Sequence, residues 1–517
     1  MGIRPVGAVA ASALLAACIL SAPGCGQTVI EIVNSPGDAS APGFDGAGVV
    51  VTADAAGNNP PSFDATVGID ATDATDAGAD AQVAFIVDGA AQLDAGCPGP
   101  DLRCHVAACS GQGTTSVSGK VYDPAMANPI PHAFVFVPTD PMGKIPAITP
   151  GAKTCDTCDL PLGSYVVATT TDATGSFSLS GVPTGTQIPV VVQIGKWRRE
   201  VFVTTTACQD TALSPAFTHL PATQAEGDMP AMALLTGAAD NLGCLLAQFG
   251  IGRGEFSSPH AGGRLDVYQG AGSSGLGVGG GAPGLSSGTA GDCTSTSCTL
   301  WSGKQSLESY DIVLLSCEGN TYDQPIDAGG IATGINVTPV GKQAMHDWLG
   351  EGGKLFATHF QYTWFENSPA ADFQGIATWL GSSGGSGQGS FIVETSFPKA
   401  QDFRAELVDA GAMVADGGLA LTGVGTSVSS VNPPALAWIK DPSSQDTKYF
   451  TFTTPIGGSV CGKAAFSDLH AGGTPQGDIP ASCTSGPLNA QQMAMELLFF
   501  DLSACVSDDS KAAPGPP

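Results

Sequence analysis

The stretch Thr171-Asp-Ala-Thr-Gly-Ser-Phe-Ser-Leu-Ser-Gly-Val-Pro-Thr-Gly185 decides the fold of the first folded part of the chain. Asp172 to Gly175 predicts a turn, because Asp can bond to the backbone two residues on and Gly adopts a positive φ without a Cβ clash. Phe177 and Leu179 then alternate with serines, which is the period-two pattern of a half-buried strand. The stretch therefore predicts a strand that ends in a second turn at Val182–Gly185.

Further segments around this stretch show short apolar runs between turns that contain Gly or Pro. They are Ser116–Tyr122, His132–Val137, Ser164–Thr169, Gln187–Ile194 and Arg199–Thr204. Short strands at this spacing are typical of a β-sandwich, so the sequence predicts a small all-β sandwich over residues 113–212. The 171–185 stretch resembles the carboxypeptidase regulatory-like family of transthyretin-like sandwiches. That resemblance implies a scaffold and no particular chemistry.

Near residue 228 the pattern changes to apolar strands that alternate with amphipathic helices. The predicted strands are Met232–Thr236, Tyr310–Ser316, Lys354–His359 and Lys463–Asp468, and the predicted helices are Asn241–Gly250, Thr338–Gly350 and Asn489–Leu502. This alternation indicates an α/β domain with a mostly parallel sheet over residues 228–507. A Gly- and Ser-rich insertion interrupts it at 252–303, and Gly381–Gly387 has the composition of a loop.

Three of the predicted strands run into residues that can carry chemistry. Cys317 and Glu318 follow one strand, His359 ends the next, and Asp468 and His470 end the last. Ligand sites in open parallel sheets lie outside the carboxyl ends of the strands, so these side chains are expected at one edge. The candidate catalytic residues are Cys317, Glu318, His359 and His470, and the candidate binding residues are Tyr362, Trp364 and Asp468.

The Tyr-Asp-hydrophobic strand at 310–316, the strand ending in His359 and the late strand ending in Asp468-Leu-His470 have counterparts in a known superfamily. They resemble the class I glutamine-amidotransferase-like, flavodoxin-like proteins, especially the ThuA-like members. That superfamily carries its nucleophilic Cys on a Gly-x-Cys-x-Gly elbow, whereas Ala357-Thr-His-Phe360 stands at that place here. Cys317 lies one strand earlier, so the resemblance implies a flavodoxin-like fold and not glutamine hydrolysis.

Three interpretations of this edge are open at the level of sequence. In the first, Cys317 is a free nucleophilic thiol with His359 or His470 as its base, because a neighbouring imidazolium lowers the pKa of a thiol. In the second, His359, His470 and Asp468 or Glu318 hold a divalent metal ion. In the third, the edge binds a ligand without turnover. The sequence identifies no cofactor.

Tyr362 and Trp364 follow His359, and aromatic rings beside a cleft suit stacking on a sugar. ThuA-like relatives are associated with sugars, which implies a carbohydrate ligand; a buried helix entrance is the alternative interpretation. The leading functional hypothesis is a binding module for a carbohydrate or a cell-surface partner. The alternative is a hydrolase or a sugar-modifying enzyme that uses the strand-end residues.

The N-terminus predicts export and a lipid anchor. Val6–Ala22 is apolar and uncharged, which suits a signal peptide over residues 1–25. Cys25, or else Cys18 in Leu-Ala-Ala-Cys, is the expected lipidation site of a bacterial lipoprotein. Neither is followed by Asp, so the outer membrane is the expected location. Residues 26–95 predict a disordered acidic stalk, 96–112 a Cys-rich entry segment and 508–517 a disordered tail.

The net charge and the number of cysteines indicate which classes of partner and which cellular compartment suit the chain. The net charge of −28 argues against a nucleic-acid partner, because binding to phosphates needs a basic surface. Fifteen cysteines in an exported chain predict disulfides, and if the thirteen beyond the signal region pair within the chain, at least one of them is left free. The expected bridges join near neighbours, namely Cys155–Cys158, Cys293–Cys298 and Cys461–Cys483.

Overall fold

Three β-sheets with helices packed around them make up the computed structural model. It describes residues 101–111, 113–151, 154–159, 162–268, 270, 300, 303–321, 339–472, 479–484 and 486–517. The predicted signal peptide, stalk and lipidation site and the Cys293–Cys298 pair lie outside these residues, as does most of the insertion. No helix in the described part of the chain is long and apolar enough to cross a membrane.

The elements are numbered in chain order. The strands are β1 (Ser116–Lys120), β2 (Phe134–Pro138), β3 (Tyr165–Thr170), β4 (Ser176–Ser180), β5 (Gly185–Ile194), β6 (Trp197–Thr205), β7 (Asp210–Ala212), β8 (Met232–Leu235), β9 (Phe256–Ser257), β10 (Leu265–Tyr268), β11 (Ile312–Leu315), β12 (Lys354–Thr358), β13 (Ala377–Val393), β14 (Leu419–Val431), β15 (Leu436–Lys440), β16 (Thr447–Thr454) and β17 (Gly462–Ser467). The helices are α1 (Pro215–Thr218), α2 (Leu242–Gln248), α3 (Lys304–Leu307), α4 (Pro339–Gly350), α5 (Thr363–Glu366), α6 (Ala371–Gln374), α7 (Pro398–Asp409) and α8 (Ala490–Ser503).

The first seven strands form two small sheets, in the orders β4-β1-β7 and β3-β2-β5-β6. In β4, Phe177 and Leu179 are buried while the serines that alternate with them are not, as the sequence pattern predicts. The other sheet is buried on both faces along β2. Val135 and Val137 join the core that contains Phe177 and Leu179, whereas Phe134 packs in a separate cluster.

The third sheet has ten strands and is mixed. Its order is β14-β13-β15-β16-β17-β12-β11-β8-β10-β9, and the six strands from β17 to β9 pair in parallel. Counted by themselves along the chain, β8, β10, β11, β12 and β17 lie in the order 2-1-3-4-5, which is that of flavodoxin-like sheets. The remaining strands, β13 to β16, extend the sheet with antiparallel pairing.

Several strands lie where the sequence predicts none, among them β9 and β13 to β16. Residues 381–387, expected to form a loop, lie inside β13, and β10 lies inside the expected insertion at 252–303. A Gly- and Ser-rich strand has few apolar side chains to alternate, so its pairing partner is what makes it a strand. The sheet is therefore less purely parallel than predicted.

The small sheets pack directly on the large one, and all described residues belong to one compact unit. The basic segment at 196–199 is part of this contact. It lies at the turn of the hairpin that β5 and β6 form, where Ile194 is opposite Trp197. Lys196 forms a salt bridge with Asp311 at the start of β11, and the buried Trp197 ring packs edge-on against Phe500 of α8.

The disulfides join distant parts of the chain rather than near neighbours. The described bridges are Cys109–Cys208, Cys155–Cys461, Cys158–Cys505 and Cys244–Cys483. The predicted Cys155–Cys158 and Cys461–Cys483 bridges are therefore wrong, because the fold places each of these cysteines beside a partner from another element. Among the described cysteines, Cys317 is the free one, and it is buried.

Within the last ten residues, expected to be disordered, one side chain is buried against the large sheet. Asp509 is 4% exposed. Its carboxylate accepts hydrogen bonds from Lys399 and Lys463 and from the Thr451 hydroxyl. At the end of the chain, the Tyr165 hydroxyl donates to the Pro517 carbonyl at 2.8 Å. A buried ion network therefore holds a segment whose composition predicts disorder.

Candidate functional site

The candidate site lies at the carboxyl ends of four neighbouring parallel strands. Asp240 follows β8, Cys317 and Glu318 follow β11, His359 follows β12, and His470 follows β17. We call these five residues the strand-end site. Their convergence follows from the parallel pairing of β8, β11, β12 and β17 in adjacent positions, which brings equivalent ends of the strands together.

The backbone around Cys317 is fixed by its neighbours in the sheet. Its N–H donates to the Thr358 hydroxyl at 2.8 Å, and its carbonyl accepts from Ala239 at 3.1 Å. A Cβ on Gly237 would lie 2.1 Å from this carbonyl, so only glycine fits there. Burial raises the pKa of the Cys317 thiol to about 12, and the carboxyl groups of Asp240 and Glu318 add to that effect.

His359 has a strained backbone and a buried imidazole. Its φ is +40°, a region that residues with a Cβ seldom occupy and that often marks functional sites. Its Nδ1 lies 3.5 Å from the Sγ of Cys317, and its Nε2 is buried without a hydrogen-bond partner. Burial lowers the pKa of His359 to about 4, with further contributions from His470 and Lys448.

His470 completes the group with a partly exposed ring. Its Nδ1 lies 2.8 Å from the Gly423 carbonyl oxygen, which can only accept, so in the neutral ring Nδ1 carries the proton and Nε2 has the lone pair. The ring stands edge-on to that of His359 with their centroids 5.0 Å apart. One ligand atom each from Cys317, His359 and His470 lie within 4.8 Å of one another.

Asp240 and Glu318 make the surroundings of this group acidic. Asp240 is 1% exposed and accepts a hydrogen bond from the N–H of Ala471 at 2.7 Å, and burial raises its pKa. Glu318 is also buried. The sequence analysis does not include Asp240 among the candidates, and its position in the loop that follows a buried strand is the signal that could have found it.

Asp468 serves the sheet rather than the site. Its two carboxylate oxygens accept from the backbone N–H and the hydroxyl of Ser427 in β14, each at 2.8 Å. Burial raises its pKa to about 6, although these hydrogen bonds act in the other direction. As a candidate binding residue, Asp468 is therefore occupied in joining β14 to the end of β17.

The two candidate aromatic residues lie in the core. Trp364 is 2% exposed and its indole N–H donates to the side chain of Gln361, while Tyr362 is 5% exposed and stacks on Trp379. Rings enclosed in this way present no face on which a sugar could stack. The alternative interpretation, a buried helix entrance after β12, describes their environment.

No protein-family model matches the chain, and no curated protein is significantly similar to it in sequence. The case for a function therefore rests on the strand-end site and on the chemistry of its residues.

Proposed function

We propose that the protein is a cell-envelope hydrolase that carries out its reaction at the strand-end site. The observation that carries this proposal is the convergence of a thiol, two imidazoles and two carboxyl groups at the carboxyl ends of four parallel strands. One of these residues, His359, also has a strained backbone. Titratable groups of different kinds gathered at this edge of an α/β sheet are typical of catalytic sites.

The thiol is not the nucleophile in this proposal. Thiol catalysis needs a thiolate beside an imidazolium. Burial raises the pKa of Cys317 to about 12 and lowers that of His359 to about 4, so the neutral pair is strongly favoured at neutral pH. We infer that the attacking group is a water molecule activated at the site. His470 is the imidazole placed to take part in this activation, because its Nδ1 donates to the Gly423 carbonyl, which leaves Nε2 for the reacting group, and its ring is partly exposed.

The setting of this site is part of the proposal. The sheet order 2-1-3-4-5 supports a flavodoxin-like domain for residues 228–507, and the two small sheets support a regulatory-like sandwich for 113–212. Disulfides that join distant elements support folding in an oxidising compartment. We further propose export through the signal peptide at 1–25 and a lipid anchor on Cys25, or else Cys18, in the outer membrane.

A second candidate function is the binding of a carbohydrate or a cell-surface partner without turnover. This function is compatible with a fully buried Cys317 and a His359 that is 4% exposed, because neither side chain then has to reach a substrate. Tyr362 and Trp364 do not support a carbohydrate ligand, because both rings lie in the core. The two functions differ in whether any substrate is turned over at the strand-end site.

The test is a turnover assay on the full-length protein exported to an oxidising compartment. The substrates are nitrophenyl esters, phosphodiesters and glycosides, and the variants are His470→Gln and, as a matched control, His260→Gln. His260 is exposed and stacks on Tyr310, which precedes β11 at the opposite end of the strands. We expect turnover of one substrate class that His470→Gln lowers at least tenfold and His260→Gln leaves unchanged. Turnover by no class, or equal turnover by His470→Gln, would reject the hydrolase and leave the binding function.

A further inference from the structure

We propose that Cys317, His359 and His470 together bind one divalent transition-metal ion of the Zn²⁺ type. This inference rests on the proposed function, because the ion would be the group that activates the water. The ligand set differs from the one that the sequence suggests. There, the third ligand beside His359 and His470 is a carboxylate, Asp468 or Glu318, whereas here it is the thiol of Cys317.

The three donors have the chemistry that such an ion prefers. A thiolate and two neutral imidazoles suit a borderline-soft ion such as Zn²⁺, whereas Mg²⁺ and Ca²⁺ prefer oxygen ligands. Three protein ligands also leave a fourth tetrahedral position for water, which is the arrangement of catalytic rather than structural zinc sites. A bound Zn²⁺ can lower the pKa of its water to about 7.

The spacing of the donor atoms agrees with one shared ion. Zn–S and Zn–N bonds of about 2.3 and 2.0 Å at tetrahedral angles separate sulfur from nitrogen by roughly 3.5 Å. The observed distance between the Sγ of Cys317 and the Nδ1 of His359 is 3.5 Å. All three donor atoms lie within 4.8 Å of one another, so His470 needs a movement of only about 1 Å to complete the set.

The residues behind the ligands orient them. The Gly423 carbonyl accepts a hydrogen bond from Nδ1 of His470, which leaves Nε2 as the nitrogen that can bind the ion. This is the usual arrangement of a ligating histidine. His359 is held in a strained conformation beside Gly425, where an added Cβ would lie 2.4 Å from the ring.

The carboxyl groups near the site are arranged to attract a cation without binding it directly. Asp240 interacts electrostatically with both Cys317 and His470, and Glu318 lies next to Cys317 in the chain. Asp468 is not among the donors close enough to share one ion, and each of its oxygens already accepts a hydrogen bond from Ser427. The thiolate therefore replaces the carboxylate as the third ligand.

The test is Co²⁺ titration of the chelator-treated full-length protein, followed by absorption spectroscopy. Cobalt bound to a thiolate gives a near-ultraviolet charge-transfer band and visible d–d bands of tetrahedral intensity. We expect these bands to saturate at one Co²⁺ per chain and Zn²⁺ to displace the cobalt. Cys317→Ser should abolish the charge-transfer band, and His470→Gln should weaken binding at least roughly 100-fold. His260→Gln should bind as the unaltered protein does.

Absence of the charge-transfer band in the unaltered protein, or its persistence in Cys317→Ser, would overturn the proposal. Near-ultraviolet circular dichroism of each variant establishes that it is folded, and His470→Gln changes a partly exposed side chain, so it remains informative if Cys317→Ser fails to fold. The metal site and the hydrolase activity can be rejected independently of each other. Cobalt bands without turnover of any substrate reject only the hydrolase, whereas turnover without cobalt bands rejects only the metal site.

Discussion

Replacing Asp509 by Ala should destabilise the protein strongly, although this residue is only eight positions before Pro517, the last residue of the sequence. The Asp509 carboxylate is 3% exposed and accepts hydrogen bonds from Lys399 and Lys463, each at 2.8 Å, and from Thr451 at 2.7 Å. Both lysines are almost fully buried, and Asp501 alone would then have to compensate two positive charges. Breaking a buried ion pair on one side costs about 3–5 kcal/mol. We expect a loss in this range.

The assay is urea unfolding of the disulfide-bonded full-length protein, followed by tryptophan fluorescence. Asp508→Ala is the matched control, because this neighbouring carboxylate is exposed and hydrogen-bonds only within its own turn. It should change the free energy of unfolding by no more than about 0.5 kcal/mol. A loss below about 1 kcal/mol for Asp509→Ala would refute the reasoning, because it would mean that the ion network has no net effect on stability.

The pH dependence gives a second check on the same residue. Burial alone would raise the pKa of Asp509, but Lys399 and Lys463 more than offset this and hold the pKa well below its usual range. The resulting stabilisation is present above the unfolded pKa of about 3.9 and is lost as the pH falls through the folded pKa. The difference in the free energy of unfolding between the unaltered protein and Asp509→Asn should therefore decrease as the pH falls. A difference that does not change from pH 6 to pH 2 would contradict this assignment.

Three further predictions concern other parts of the molecule. Glu496→Gln should stabilise the protein at pH 7 by about 1 kcal/mol, because burial, together with the nearby Asp123, raises the pKa of Glu496. Stability linked to this group falls as the pH rises above the unfolded value of about 4.3, so urea unfolding at pH 4 and pH 8 should show a smaller difference for the variant. Gly425→Ala should displace His359 and weaken Co²⁺ binding at least tenfold, whereas Gly486→Ala, where a Cβ meets open space, should not; equal affinities would show that His359 is not a ligand. Cys317 should resist alkylation at pH 7 in the folded protein and react after unfolding, because it is buried and its pKa is about 12; rapid native labelling, mapped by mass spectrometry, would restore the thiol-nucleophile hypothesis.

The sequence predicts an element correctly where interactions between neighbouring residues in the chain determine its structure. The alternation of Phe177 and Leu179 in β4 and the apolar run of β11 indicate strands without reference to the rest of the chain. Helix α8 was foreseeable for the same reason, and Asn489 and Gln492 form a capping box at its start. The meeting of Cys317, His359 and His470 follows from one general rule, that adjacent parallel strands end at the same edge.

The sequence by itself thus determined the strands and helices with clear periodicity and the edge of the sheet where the reactive residues lie. Only the tertiary structure decided the disulfide partners, the pairing that makes residues 381–387 part of β13, and the burial of Asp509 between two lysines. It also decided that Asp468 bonds to Ser427 while Asp240 lies beside Cys317. The physical reason is that periodicity acts between near neighbours in the chain, whereas disulfides, buried ion pairs and sheet extensions depend on groups brought together from hundreds of residues apart.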